Sequence, residues 1–360
     1  MSTKRALELQ ALAWDLQARG KLDEAFERCA EALALIGVSE GPQSADAANL
    51  LIDLADIEND QQQHEAALIH CERAQGILDR IGDDVEGGTT VRVRMRAQEM
   101  IGTVRQGLGN YAQAAAAFES ALAITVSHFD ESSDEVAGAR NNLAVLYKFV
   151  GRFAEALRLY EQTLPSIVAT HGELSLEAAG VFHNIGGVLH ASGEFDKAEA
   201  AGRKAWEISR QLLGDDDPHT MLDAAAYAAI LDGLHRYEEC KEILVRVLAV
   251  MTRAHGNTHY EVAATLHNLS AAQCALGHLV EAERNYRQAL AIKERLLGGN
   301  HPDTALTRNN LGRLLIDLGR RDEAVGLLRS AVAILKSQLA EGHPSIAAAE
   351  RNLAAALNGT

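Results

Sequence analysis

Hydrophobic and polar positions follow the period of an amphipathic helix along the chain, beginning close to the first residue. Small and aliphatic residues recur three and four positions apart, and short stretches with glycine or proline separate one run from the next. This spacing predicts helices that each bury one face. The chain is 47% hydrophobic but only 4% aromatic, which favours helices packed through small residues over a β-sandwich or barrel. We therefore expect an all-α fold.

A marker residue, most often glycine, recurs at a fixed interval. Each step is 42 residues except that from Gln62 to Gly109, which is 47. We assign the five extra residues to the turn-rich segment from Gly82 to Gly88. A small residue stands seven positions before each marker, and another stands five after it. Paired small residues let two helices approach closely, and glycine at the marker suits a left-handed turn between them. The markers are Gly20, Gln62, Gly109, Gly151, Gly193, His235, Gly277 and Gly319.

Each period predicts one helical hairpin, and residues 1–360 are predicted to form a single solenoid of eight hairpins. A final helix over residues 345–357 repeats the first-helix pattern without a second half, as expected of a cap. His301 and His343 recur at one register in the linkers and are expected to order them. The predicted hairpins cover about residues 5–40, 47–82, 91–130, 135–172, 177–215, 219–257, 261–299 and 303–341.

The register of small residue, glycine, aromatic and alanine resembles the tetratricopeptide repeat (TPR) over nearly the whole chain. The 42-residue period, the linker Leu297 to Pro302 and helix segments such as Leu266 to Leu269 are similar to the kinesin light chain type of this repeat. The resemblance implies a right-handed superhelix in which the first helix of each hairpin lines a concave groove. It also implies a general protein-binding scaffold, because such repeats serve many partners.

Charge and motifs exclude several functions. The net charge of −16 argues against a nucleic-acid partner, which needs clustered Lys and Arg. We find no apolar run long enough for a membrane span and no export signal, so we expect a cytoplasmic protein without a membrane partner. No phosphate-binding glycine motif is present, and His64 begins a zinc-protease-like segment that fails at Leu68. His255 and His259 lack a third ligand in the sequence. We expect no cofactor, no metal and no catalytic residue.

Asparagine recurs at one slot of the first helices, eight places after the helix entry. Asparagine inside a helix costs about 0.5 kcal/mol relative to alanine, so a compensating role is expected. Two interpretations stay open: the amides hold the backbone of an extended peptide, or each ties its helix to the neighbouring repeat. The candidate groove residues at this and adjoining slots are Asn141, Asn142, Lys148, His183, Asn184, His190, His267, Asn268, Asn309, Asn310, Arg313 and Asn352.

The leading hypothesis is a non-catalytic interaction module or scaffold that binds a protein, as a peptide or a partner helix, in the groove. A second hypothesis is a small-molecule sensor or enzyme whose site is built from His183, His190 and His267. A third is a homo-oligomer that assembles through an exposed end or face. Asp53, Asp56 and Asp60 lie on successive turns of one helix and could form an acidic end for a basic ligand, although a solvated helix face explains them equally simply.

Overall fold

The computed structural model describes residues 2–82, 88–339 and 342–358, and these form seventeen α-helices and no strand. Odd-numbered helices are the first helices of hairpins and even-numbered helices are the second; α17 has no second helix after it. The insertion assigned to residues 82–88 has its central five residues outside the described ranges. The helices are α1 (Ser2–Ala18), α2 (Leu22–Ser39), α3 (Ala45–Asp60), α4 (His64–Ile81), α5 (Thr89–Gly107), α6 (Tyr111–His128), α7 (Asp134–Phe149), α8 (Phe153–His171), α9 (Leu176–Ala191), α10 (Phe195–Leu213), α11 (Pro218–Gly233), α12 (Tyr237–His255), α13 (Tyr260–Ala275), α14 (Leu279–Leu297), α15 (Pro302–Asp317), α16 (Arg321–Gln338) and α17 (Pro344–Asn358).

Small residues hold the two helices of a hairpin together. A Cβ atom added to Gly186 would lie 3.2 Å from the backbone nitrogen of Gly202, so α9 and α10 approach almost backbone to backbone. A Cβ atom on Gly312 would lie 2.7 Å from Leu328 Cγ, and alanines in the equivalent slots of other hairpins are fully buried. The close packing explains why these slots accept only small residues.

The marker residues form the tight turn inside each hairpin. All eight have a left-handed backbone, with φ between 71° and 82° at the six glycines. Gln62 and His235 adopt the same conformation, with φ of 62° and 61°, although a side chain disfavours it by about 1 kcal/mol. The turn geometry is therefore imposed by the hairpin and not by glycine alone.

Side chains in the linkers cap the following first helices. The Nδ1 atom of His301 accepts a hydrogen bond from the backbone N–H of Asp303 at 3.1 Å, and His343 accepts one from Ser345 at 3.2 Å. Both histidines supply an acceptor to otherwise unpaired N–H groups at a helix start. The expectation that these two histidines order their linkers is confirmed.

The chain divides into two compact units, Met1–Tyr147 and Lys148–Thr360. In the second unit, the first helices α9, α11, α13, α15 and α17 contact one another in sequence, and α3 contacts α5 in the first unit. We call the surface that these first helices expose the inner face of each unit. The single continuous array expected from the sequence stays a prediction.

Ion pairs join second helices in the second unit. Glu199 on α10 binds Arg236, which precedes α12, at 2.6 Å, and Arg236 also binds Glu239 at 2.6 Å. The three residues that stand 84 positions after Glu199, Arg236 and Glu239 repeat the arrangement. Arg320 binds Glu283 at 2.6 Å and also binds Glu323. The repeated network indicates that hairpins five and six correspond as a pair to hairpins seven and eight.

Candidate peptide-binding face

The first helices of the second unit expose a repeated set of positions on their inner face, and we call this set the trough. Its residues stand thirteen, nine and six positions before the turn in four successive first helices, and every one is exposed or half-buried. Six are glycine or alanine. A Cβ atom on Gly180 would meet open space, and one on Gly187 would meet only the Lys148 amine. The trough is lined by Gly180, Asn184, Gly187, Leu222, Ala226, Ala229, Ala264, Asn268, Ala271, Leu306, Asn310 and Arg313.

Three of the predicted asparagines form a chain of hydrogen bonds across repeats. Asn352 on α17 donates from Nδ2 to Asn309 Oδ1 at 2.9 Å. Asn309 donates to Asn310 Oδ1 at 3.0 Å, and Asn310 donates from Nδ2 to His267 Nε2 on α13 at 3.1 Å. Asn352 and Asn310 therefore each give one proton toward the preceding hairpin, and Asn309 connects them within α15. These amides tie neighbouring repeats together.

The chain of hydrogen bonds fixes the tautomer of His267. The Thr307 hydroxyl donates to the backbone carbonyl of Asp303 at 3.1 Å, so its oxygen accepts the Nδ1 proton of His267 at 3.0 Å. Nε2 is then left without a proton and accepts from Asn310. We call this directed chain, from Asn352 through His267 to the Asp303 carbonyl, the amide relay.

The surroundings of His267 keep it neutral. Burial, with a smaller contribution from the charge of Lys293, lowers the pKa of His267 to about 3. Lys293 lies on α14, is only 2% exposed, and pairs with Asp303 Oδ2 at 2.9 Å. A buried cation beside an imidazole disfavours a second positive charge. Sequence analysis missed Lys293, Asp303 and Thr307, because a single lysine in a second helix gives no periodic signal.

The remaining asparagines differ in their partners. Asn142 in the first unit donates to Glu99 Oε1 at 3.0 Å, and Asn141 and Asn184 also have polar or electrostatic interactions of their own. Asn268 has no hydrogen-bond partner among residues 148–339 and 342–358. The reason is visible in the sequence, since Ala225 occupies the slot from which the preceding hairpin would pair with it. Asn268 is therefore a half-buried amide with its hydrogen-bonding capacity unused by the protein.

Lys148 and His190 lie at the α9 end of the trough. The Lys148 side chain is exposed, its amine lies over Gly187, and no carboxylate in the described part of the second unit pairs with it. Although the residue is exposed overall, its amine packs over Gly187 and loses part of its hydration, which lowers the pKa of the Lys148 amine, and burial followed by the charge of Lys148 lowers the pKa of His190. At the α15 end, Arg313 is exposed and pairs with Asp317 at 3.3 Å. The two ends thus differ, because only the lysine lacks a counter-charge.

The three groove histidines are each engaged separately. His183 Nδ1 lies 2.7 Å from Asp223 Oδ1, and Asp223 also accepts from the Ser209 hydroxyl. His190 packs edge-on against Phe195, whereas His267 belongs to the amide relay. In the described ranges no three His, Cys, Asp or Glu side chains are grouped so that they could hold a metal ion. None of the described helices is long and apolar enough to span a membrane.

Family models place the chain in a known class. Models described as tetratricopeptide repeat match residues 5–80, 93–166, 179–219, 220–295 and 274–337. The chain therefore belongs to the tetratricopeptide repeat family, and the resemblance inferred from its register is confirmed. No curated protein sequence matches the chain significantly.

Solved structures share the fold at low sequence identity. The apo quorum sensor NprR from B. thuringiensis is 13% identical, with a TM-score of 0.64 over 92% of this chain and 87% of that one. A Rap protein complexed with Competence and Sporulation Factor is 16% identical, with a TM-score of 0.53 over 99% and 98%. BtubC (BKLC) from P. vanneervenii is 19% identical, with a TM-score of 0.54 over 66% and 91%. Kinesin light chain-like repeat proteins are also among the structural neighbours.

Proposed function

We propose that this protein is a non-catalytic interaction module whose trough binds an extended peptide segment of a partner protein. The observation that carries the proposal is Asn268, a half-buried amide at the centre of the trough without a protein partner. Water hydrates this amide when no ligand is bound, and a hydrogen bond to a ligand that replaces the water would contribute about 0.5–1.5 kcal/mol. An amide offers both a donor and an acceptor, which matches the donor and acceptor of each peptide unit.

The size of the trough residues supports a backbone ligand. Gly187, Ala229 and Ala271 stand at one slot in three successive helices, and their small side chains leave room for a main chain to lie close to the helices. Glycine inside a helix costs about 1 kcal/mol relative to alanine, so Gly180 and Gly187 would be poor choices for an ordinary solvated face. Lys148 adds an unpaired positive charge at one end, which favours an acidic group of the ligand there.

The family and its neighbours are consistent with this role. Tetratricopeptide repeats present a groove of first helices, and the Rap protein of the same fold was solved in complex with Competence and Sporulation Factor. We extend the proposal to a cytoplasmic protein, since four cysteines occur in the chain and all are free thiols, as is usual in a reducing compartment.

A blocking substitution tests the proposal. Peptides would be selected from a random display library against the full chain, and the affinity of the best peptides would be measured by calorimetry. Ala271→Arg fills the trough and is expected to weaken binding at least about tenfold, because the long side chain occupies the path of the peptide backbone. Val280→Arg is the matched control, since Val280 on α14 is 76% exposed and lies outside the trough. Equal affinity of the two variants would refute the proposed site.

A further inference from the structure

A polar bridge joins α1 and α3 on the inner face of the first unit. The side-chain amide of Gln17 donates to Asp56 Oδ2 at 2.9 Å and to Asp60 Oδ2 at 2.8 Å. About two turns earlier on α1, Gln10 donates to Asp53 at 2.6 Å, and Arg96 binds the same carboxylate at 2.8 Å. Asp53 therefore has a counter-cation. Asp56 and Asp60 are held only by a neutral amide.

The two carboxylates held by Gln17 carry charge that no ion pair in the described part of the first unit neutralises. Neither Asp56 nor Asp60 forms an ion pair within the described residues of the first unit. Burial raises the pKa of Asp56, and the charges of Asp60 and Asp53 raise it further, against the opposing hydrogen bond from Gln17 and the smaller effect of the Arg96 charge. Like charges at this spacing repel, and a cation from outside would relieve the repulsion.

An apolar helix face lies beside these carboxylates. Trp14 is on α1 between Gln10 and Gln17, and the spacing of three to four residues places all three on one face of the helix. Its side chain is 49% exposed, and Leu7, one heptad earlier on the same face, is 57% exposed. The Trp14 ring has no aromatic, cationic or hydrogen-bond partner among residues 2–82 and 88–147. Two large apolar side chains thus face outward next to an uncompensated negative charge.

The second tryptophan of the chain shows what such a ring can bind. Trp206 on α10 packs against Tyr227, with ring centroids 5.5 Å apart, and the guanidinium of Arg210 lies 5.6 Å from the Trp206 ring. Attraction between a cation and the ring face contributes about 0.5–1 kcal/mol at exposed sites. Trp206 therefore receives its cation from its own helix. Trp14 has the acidic neighbours that would attract a cation but no such cation.

We propose that Trp14, Asp56 and Asp60 form a docking surface for an arginine side chain of a partner protein, with Leu7 contacting an adjacent apolar residue of that partner. The guanidinium stacks on the indole ring and donates to the two carboxylates. Arginine fits better than lysine, because its planar group can stack and donate several hydrogen bonds at once. This surface lies in the first unit, and its existence does not depend on the trough of the second unit.

Tryptophan fluorescence tests the surface directly. In a Trp206→Phe variant of the full chain, Trp14 is the single tryptophan, so its emission reports on this surface alone. The probe is an end-blocked pentapeptide that contains one arginine between leucines, and it is compared with versions that carry lysine or the neutral isostere citrulline. We expect the arginine peptide to change Trp14 emission saturably, the lysine peptide to bind several-fold more weakly, and the citrulline peptide to bind at least about tenfold more weakly.

Charge-matched variants make the test specific. Calorimetry of the arginine peptide with Asp56→Asn/Asp60→Asn is expected to show binding weakened at least about tenfold, and Trp14→Ala is expected to show a similar loss. The control Glu24→Gln/Glu27→Gln removes two exposed charges from α2 and should bind as the parent does. Equal weakening by both double variants would mean attraction to net charge alone and would overturn the proposal. Equal binding of the arginine and citrulline peptides, or no binding of the arginine peptide, would also overturn the proposal.

Discussion

The two units join their neighbouring repeats with different chemistry. The first unit buries a carboxylate, Asp53, which is 3% exposed and is neutralised by the half-exposed Arg96. The second unit uses the neutral amide relay and buries a cation instead, Lys293, against Asp303. Both arrangements tie one repeat to the next. The comparison teaches that hydrogen bonds across the repeat interface can be built from charged or from neutral groups, and Asn268 shows that the slot can also be filled without one.

The largest expected difference in stability between the two units follows from removing the carboxylate of each ion pair. Asp303→Ala leaves the buried Lys293 ammonium unpaired and is expected to lower the free energy of unfolding of the second unit by about 3–5 kcal/mol. Asp53→Ala leaves the neutral amide of Gln10 and Arg96, which is 41% exposed, without this carboxylate, and is expected to cost the first unit less, about 1–3 kcal/mol. Urea unfolding would be followed by Trp206 fluorescence in a Trp14→Phe background for the second unit. Trp14 fluorescence in a Trp206→Phe background reports on the first unit. Equal losses of unfolding free energy in the two units would contradict this account.

Acidification should affect the second unit through His267. Its pKa is about 3 in the folded protein and near 6.5 when unfolded, so between these values only the unfolded chain binds the proton. The contribution to stability is complete above pH 6.5 and declines as the pH falls, by at most about 1.4 kcal/mol per pH unit.

The control for this titration is His267→Gln, which cannot protonate. Burial also lowers the pKa of His190 and His343, so the wild-type slope contains their contributions and only the difference between the two proteins isolates His267. Between pH 6.5 and 5 we expect the wild type to lose up to about 2 kcal/mol more than the variant in urea unfolding. Parallel pH profiles would mean that His267 is not held neutral.

Two asparagines from the same slot should behave differently in stability. Asn310→Ala removes a donor to His267 and an acceptor for Asn309, and it is expected to destabilise the second unit by about 1–2 kcal/mol. Asn268→Ala removes no hydrogen bond and should be neutral or stabilising by up to about 0.5 kcal/mol, because alanine is the better helix former. Thermal unfolding monitored by circular dichroism separates the two, and an equal loss would show that Asn268 has a structural partner.

The smallest effect is expected at the turns. Gln62→Gly in the first unit and His235→Gly in the second remove the strain of a side chain on a left-handed backbone. Each should stabilise the protein by about 1 kcal/mol or less. Gly277→Ala is the reverse control and should destabilise, since its φ is 80°. If the glycine variants are less stable, the side chains of Gln62 and His235 must contribute contacts that outweigh the backbone strain.

Much of the fold could be predicted from the sequence, because each hairpin repeats the same local signals. The marker at each turn, the small residues at the hairpin contact and the linker histidines at the helix starts all act over a few residues. Gln62 and His235 were recognised as markers only through the spacing of the others, and both adopt the left-handed conformation.

The site was less predictable, because it depends on pairs of residues about 43 positions apart. The recurrence of asparagine identified the slot, but it could not separate Asn310, which is engaged in the relay, from Asn268, which is not. That distinction lies in the hairpin that precedes each asparagine. His267 stands 43 positions before Asn310, whereas Ala225 stands 43 positions before Asn268 and offers no hydrogen bond. The burial of Lys293 could not be predicted from the sequence, because its partner Asp303 lies in the next hairpin.

The most direct test of the central claim is the peptide affinity of Asn268→Ala, measured by calorimetry with peptides selected on the wild type. If the unpaired amide holds the backbone of a bound peptide, the affinity should fall about five- to tenfold while stability is unchanged. If Asn268→Ala binds these peptides as tightly as the wild type does, the amide is not part of the binding site and the account of the trough is wrong.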